Sequence, residues 1–511
     1  MDPRGRKLCY RSAIVGLLAL LGFVSYELGA LVPKANAIPA FARKYNFACN
    51  VCHVPGFPKL NDFGNLFRDQ GYQLGTDNDL PTFEGISMGF WPLSWRTTAG
   101  YELAGQKIDG AKAQTGGVWS ATLDMLSFGT LHRNISYGVV FTGASATSGS
   151  GGNIDLESAF VRLMNLERFL GGSTNTYLMN FKIGKFELDV PFSEKRSPTL
   201  NSEYVWYHYV AGTPWVQSTL AGLNATAGMT ASYINPNQFQ PGSNQPGIEL
   251  TGIKKTDSTG GYFRYSLAGL TTNMNGACPG PGPTPGVQGT PGAALPSCTG
   301  MGGRGFDFYG HVTQSFGGYG IVSGQRIGAF FMYGKAPTVD NPVCPGCQGT
   351  MGNSQGFMRV GGDASLTFDG QWNLFGSYVY ANDSSGLFQN TQLLPTNTNG
   401  SLGGFQNAAW QGGFVELNWY PTQLPLVGGT GWLFGYRYDL IRNIRQGISS
   451  FASTYNNVDS NTFLARYYIH QSTRTDIALH AEYNFYTDTG VGVNGGDLKG
   501  KTMLVGMDFA F

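Results

Sequence analysis

Cys49-Asn50-Val51-Cys52-His53 is the segment whose residue types and spacing most directly specify chemistry. Two cysteines separated by two residues, with histidine next, form a c-type haem attachment pattern. Each cysteine sulfur can form a thioether to a porphyrin vinyl group. The tight loop carries the next side chain beneath the iron, so His53 is the expected proximal axial ligand. A disulfide is the alternative use of an exported Cys-x-x-Cys, but it does not account for the adjacent histidine.

The elements that would position this motif are short. Pro39, Phe41, Ala42 and Tyr45 read as a brief helix leading into it. A second helix is expected to open with Pro58 in its first turn and to stop at Gly71. Leu60, Phe63, Leu66 and Phe67 then share one apolar face, suited to covering one side of a porphyrin. Between Ile38 and Ser87 there is no methionine, and His53 is the only histidine. The segment 38–81 thus lacks a conventional second axial ligand, and it is too small to enclose a haem alone. A larger domain must supply the remaining wall.

Arg4, Arg6, Lys7 and Arg11 precede an apolar run from Ala13 to about Tyr26, and Ala35-Asn36-Ala37 forms an A-x-A site. Residues 1–37 therefore read as a secretory signal peptide, cleaved before Ile38. Export agrees with c-type attachment, which bacteria carry out beyond the cytoplasm. Cys9 leaves with the signal. Cys278, Cys298, Cys344 and Cys347 remain, an even number in an oxidising compartment, and are expected to form disulfides. Cys344-Pro-Gly-Cys347 also has redox or zinc spacing, but Gln348 follows it, so it is no second haem site.

The region 86–511 has a different character. The chain holds 75 glycines, is 14% aromatic and only 13% charged, and carries a net charge of +1. It has no basic face for nucleic acid and no apolar run long enough for a membrane helix after the signal. Alternation recurs instead. Trp432, Phe434, Tyr436 and Tyr438 interleave with Leu433, Gly435, Arg437 and Asp439, and Ile477 to Phe485 repeats the pattern. About sixteen such segments follow one another, the first from about Met88, the second from about Val118 and the last near Lys501. Connections after even-numbered segments are short, as at Asp369-Gly370 and Ser472-Thr473, and those after odd-numbered ones are mostly long. The expected fold is an all-β transmembrane barrel of antiparallel strands in the outer membrane, preceded by a small α-helical monohaem segment. Both termini would be periplasmic, the long loops extracellular, and the four loop cysteines a surface brace. Met503, Val505, Met507, Phe509 and Phe511 share one face of the final strand, which resembles the assembly signal of bacterial outer-membrane barrels.

Pro39-Ala40-Phe41-Ala42-Arg43-Lys44-Tyr45, Phe57-Pro58-Lys59-Leu60-Asn61-Asp62-Phe63-Gly64 and Gly71-Tyr72 flank the haem motif. Together with the barrel pattern they resemble the fused monohaem cytochrome–porins of iron-oxidising bacteria. That resemblance implies one covalent haem c on Cys49, Cys52 and His53. It implies Fe(II) as the extracellular reductant and a periplasmic c-type cytochrome or other carrier as acceptor, hence an Fe(II) oxidase working by outer-sphere electron transfer. The loop cysteines are not part of that pattern.

Strand parity nominates the distal ligand. His311, His470 and His480 fall on the lumen phase, His132 lies at a periplasmic turn, and Met88 is nearest in sequence. His208 falls in a long outer loop. Lumen charges such as Lys182, Arg264, Glu416, Arg437, Asp439, Arg466 and Glu482 would either tune an ion path or solvate a polar interior. Three functions compete: an inward electron conduit, a solute porin with a structural or sensory haem plug, and an outward conduit to extracellular acceptors.

Overall fold

The computed structural model describes residues 40–74 (except 46 and 55), 92–143 (except 133), 154–171, 176–211, 215, 239–256, 261–271, 306–316, 325–337, 354–385, 406–421, 431–446, 457–471, 475–490 and 496–510. Sixteen antiparallel strands close on themselves. In chain order they are β1 (Leu93–Ile108), β2 (Ala111–His132), β3 (Ile135–Gly143), β4 (Ile154–Leu163), β5 (Asn180–Glu187), β6 (Asn244–Thr256), β7 (Gly261–Thr271) and β8 (Phe306–Phe316). There follow β9 (Gln325–Pro337), β10 (Ser354–Phe368), β11 (Trp372–Asp383), β12 (Ala408–Trp419), β13 (Trp432–Arg445), β14 (Val458–Gln471), β15 (Asp476–Asp488) and β16 (Leu498–Ala510). β1 pairs with β16 from Arg96 opposite Ala510 to Lys107 opposite Lys499, which seals the wall.

Alternation decides what faces where. On β13 and β14, Tyr436 and Phe463 are 39% and 48% exposed, whereas Arg437 and Arg466 are each 1% exposed. On β16, Met503, Val505 and Met507 point outward, and Leu504 is buried. A closed wall with apolar side chains outside and charges inside is a membrane-spanning barrel. Ring pairs run along one arc of the outer face: Trp372 stacks on Trp419 at 5.2 Å, and Trp432 packs tilted against Tyr467 at 4.7 Å.

Two expected boundaries move. β2 begins at Ala111 rather than near Val118, because Asp109 (φ 45°) and Gly110 (φ 86°) make a two-residue hairpin turn. The connection after β1 is thus short, against the alternation of loop lengths. β1 starts at Leu93, and Met88 lies outside the described residues. So do the signal segment, Cys278, Cys298, Cys344, Cys347 and Phe511.

Part of the lumen is occupied by the chain itself. After β5 the chain turns inward and runs to a one-turn helix, α3 (Val205–His208), the third after α1 (Ala40–Tyr45) and α2 (Asp62–Asp69). Tyr204, Trp206, Tyr207 and Trp215 are buried there among inward residues of the wall. Tyr204 stacks on Phe414 at 4.0 Å, and Trp206 stacks on Phe330 at 5.4 Å. The lumen charges hold this segment. Arg437 donates to the Glu203 carbonyl (2.8 Å), Arg466 donates to that of Pro198 (2.8 Å), and Glu482 accepts from the Leu200 amide (2.8 Å). Asp439 accepts from the Val205 amide at 3.2 Å. These four side chains brace an inner segment instead of lining an open ion path.

Candidate functional site

The N-terminal segment packs into the barrel at the end where the chain enters β1. It contains α1 (Ala40–Tyr45), a 3-10 turn (Cys49–Val51) and α2 (Asp62–Asp69). α2 does not open at Pro58. Asn61 is its N-cap and accepts from the Gly64 amide at 2.9 Å, satisfying one of the donors that a helix start leaves unpaired. Pro58 instead lies in a loop closed by an antiparallel bridge between His53 and Leu60 and by the Val54 amide donating to the Lys59 carbonyl at 2.9 Å. Beyond α2, Gly71 takes φ 76°, the left-handed stop its position predicts.

Asn61 ties the helix to the cysteine turn. Its amide nitrogen Nδ2 donates to the Val51 carbonyl at 2.9 Å, and its backbone N–H donates to that of Cys52 at 2.9 Å. Within the turn, the His53 N–H donates to the Cys49 carbonyl at 2.9 Å. Cys49 and Cys52 are not joined as a disulfide.

Contacts around the barrel fix the segment in the lumen. Asp476 of β15 accepts from the Phe57 amide at 2.9 Å, and Lys59 donates to Asn373 of β11 at 2.8 Å. Arg162 of β4 donates to the Arg68 carbonyl at 2.8 Å, and Arg264 of β7 meets Asp69 at 2.7 Å. Val54 is buried against Leu433, Leu464 and Ala478.

Between the segment and the wall lies a cavity of about 390 Å³, within the usual range for ligand pockets. Cys49, Cys52 and His53 line it, with Phe41, Tyr45, Phe47, Phe63, Phe67 and Tyr72. The His53 Nδ1 lies 3.2 Å from the Pro58 carbonyl. A carbonyl only accepts, so Nδ1 carries the proton and Nε2 keeps its lone pair. A histidine that binds a metal through one ring nitrogen commonly donates the other N–H to a carbonyl in this way. Burial lowers the His53 pKa to about 4, against the Pro58 and Lys59 carbonyls, so the ring is neutral. Burial likewise raises the Cys52 thiol to about 11. Aromatic walls, two adjacent thiols and an oriented neutral imidazole fit a covalently attached haem.

The nominated distal histidines lie elsewhere. His132 ends β2 and is exposed, and His470 is half-buried near the end of β14. His311 is held by Asp189 (3.1 Å) and Asp363 (3.0 Å), and His480 by Glu482 (3.0 Å). None of the four lines the cavity, so the structure does not bring them to His53. Strand parity placed His311 and His480 inward correctly; it carried no information about depth or about carboxylate partners. Asn61 and Gly64 are site residues that sequence reasoning passed over. An Asn-Asp pair before a helix is a capping signal, but Pro58 masks it.

No family model and no curated protein matches this sequence. Among solved structures, it is similar to an anion-selective porin from Comamonas acidovorans, at 13% identity and TM-score 0.43, over 82% of this chain and 99% of that one. It is also similar to the outer membrane channel DcaP of Acinetobacter baumannii, at 10% identity and TM-score 0.42, over 82% and 97%. OprB of Pseudomonas putida gives 10% identity and TM-score 0.39, over 84% and 96%.

Proposed function

We propose that the chain is an outer-membrane electron-transfer protein with one haem c on Cys49, Cys52 and His53. It would take electrons from an extracellular donor and pass them to a periplasmic carrier. Fe(II) is the donor that the family resemblance implies. The observation that carries this reading is the engagement of the His53 Nδ1 with the Pro58 carbonyl on the wall of the aromatic cavity. A bound haem would supply one-electron exchange. The chain's own residues bind and orient it: the cysteines tether, His53 ligates, and Phe41, Phe63 and Phe67 exclude water. Residues 186–189, 195 and 196, from the end of β5 into the inner segment, also line this cavity, and the packing of that segment against the wall supports a conduit for electrons over one for solutes. Purified protein should give a pyridine haemochrome spectrum of c type, and a membrane-impermeant reductant should reduce the haem in intact cells. A protein without haem, or a haem blind to that reductant, sinks the proposal.

A solute porin is the second reading, favoured by the closed sixteen-stranded wall itself. Single-channel conductance separates the two. Sustained open-pore currents from the unaltered protein support the porin, and their absence supports the conduit.

A further inference from the structure

We propose that Arg162 is an anion anchor that barrel strand β4 contributes to the cavity. Resting on the proposed function, it would hold a carboxylate carried by the cavity's occupant, a porphyrin propionate. The argument is one of charge pairing. Several basic side chains line this cavity, and all but one meet a carboxylate. Arg96 is bidentate with Asp508 at 3.1 Å, Arg264 bridges Asp69 and Asp189, and Arg68 also meets Asp69. Arg196 meets Glu187 at 2.9 Å, while Lys182 and Lys195 pair with Glu249 and Glu157.

Arg162 differs. Among the described residues it makes no direct ion pair: it contacts the Arg68 carbonyl at 2.8 Å and the rings of Tyr72 and Phe160, 5.5 and 5.1 Å from its guanidinium carbon, and Asp69, already held by Arg264 and Arg68, feels its charge only at longer range. A guanidinium has five N–H donors in a fork that matches a carboxylate. A half-buried guanidinium on the cavity wall with no direct ion pair keeps donors free for a further anion. The cavity is divided in the same sense. Its N-terminal side is mostly thiol, imidazole and aromatic ring, with Arg68 and Asp69 at one edge, and its barrel side mixes apolar residues with bases that are paired to carboxylates, apart from Arg162. An occupant with a flat apolar body and an acidic edge satisfies both. The cofactor site is then composite, and the N-terminal segment alone lacks its anion-binding half.

The test uses purified holoprotein and two substitutions. Gln retains a donor for the Arg68 carbonyl but carries no charge, so R162Q isolates the anion interaction, and R162K restores a cation. In resonance Raman spectra, R162Q should shift the propionate bending bands. It should also favour oxidised haem about tenfold, a midpoint lower by ~59 mV for one electron. R162K should return both toward the starting values. V161A, on the outward face of the same strand, should change neither. Unchanged propionate bands and potential in R162Q, with haem present, overturn this inference alone. Absence of haem from the unaltered protein overturns the proposed function, and this inference with it.

Discussion

Gly64 of α2 packs directly against the carbonyl of Cys52. A methyl group at Gly64 would fall within the contact radius of that oxygen, which is backbone and cannot swing aside. The first turn of α2 therefore touches the cysteine turn at a point where only glycine fits. G64A should displace the helix from the turn at a cost of about 1–3 kcal/mol. The expected result is reduced haem content per mole of protein, together with protease cleavage within 40–74. Barrel folding, read by heat-modifiable gel mobility, should be unchanged. Full haem occupancy in G64A would show that the contact is not needed.

Asn61 does two jobs that a pair of substitutions can separate. Its Oδ1 caps α2, and its Nδ2 holds the Val51 carbonyl. N61D keeps the cap and loses the donor, while N61A loses both. A lost cap costs about 1 kcal/mol and a lost hydrogen bond about as much again. Protection of the Gly64 and His53 amides in hydrogen exchange should fall in the order native, N61D, N61A. Equal loss in the two variants would mean that the cap contributes nothing.

The barrel was legible in the sequence because its rule is local. Period-two alternation places Tyr436 outside and Arg437 inside whatever the rest of the chain does. Sixteen strands follow from that rule, but alternation does not mark where β2 begins: the Asp109-Gly110 hairpin turn sets its start at Ala111. The motif Cys49 to His53 was equally local. What could not be read was tertiary pairing. The inward course of residues 188–211 depends on Arg437, Arg466 and Glu482 reaching backbone atoms over 200 residues away in sequence. His311 reads as an inward histidine, but only the fold brings Asp189 and Asp363 to its two nitrogens.

The inner segment yields a direct test of conduit against pore. Trp206 stacks on Phe330 and donates to Ser377 at 2.9 Å, and Tyr207 donates to the Phe192 carbonyl at 2.8 Å. Truncating a buried aromatic of this size costs about 3–5 kcal/mol. In planar bilayers the unaltered protein should conduct weakly, and the W206A/Y207A double variant should show frequent open-channel steps. Large currents from the unaltered protein would mean that solute passes despite the packing.

A pH dependence follows from His208 in α3. Its Nε2 lies 2.8 Å from Glu194, whose other oxygen accepts from the Tyr204 amide at 2.6 Å. Burial works against a charged ring here, but Glu194, with Glu203 beyond it, outweighs burial and raises the His208 pKa to about 9. A group with a raised native pKa lends its full stabilisation below its unfolded value, near 6.5, and loses it as pH rises through the native value. The inner segment should therefore hold firmly at pH 6 and loosen between about pH 6.5 and 9, by ~3 kcal/mol at most. Hydrogen exchange at 189–211, corrected for intrinsic rates, should accelerate across that window, and H208Q should abolish the change. Protection that is flat from pH 6 to 10 in the unaltered protein would remove His208 as the latch.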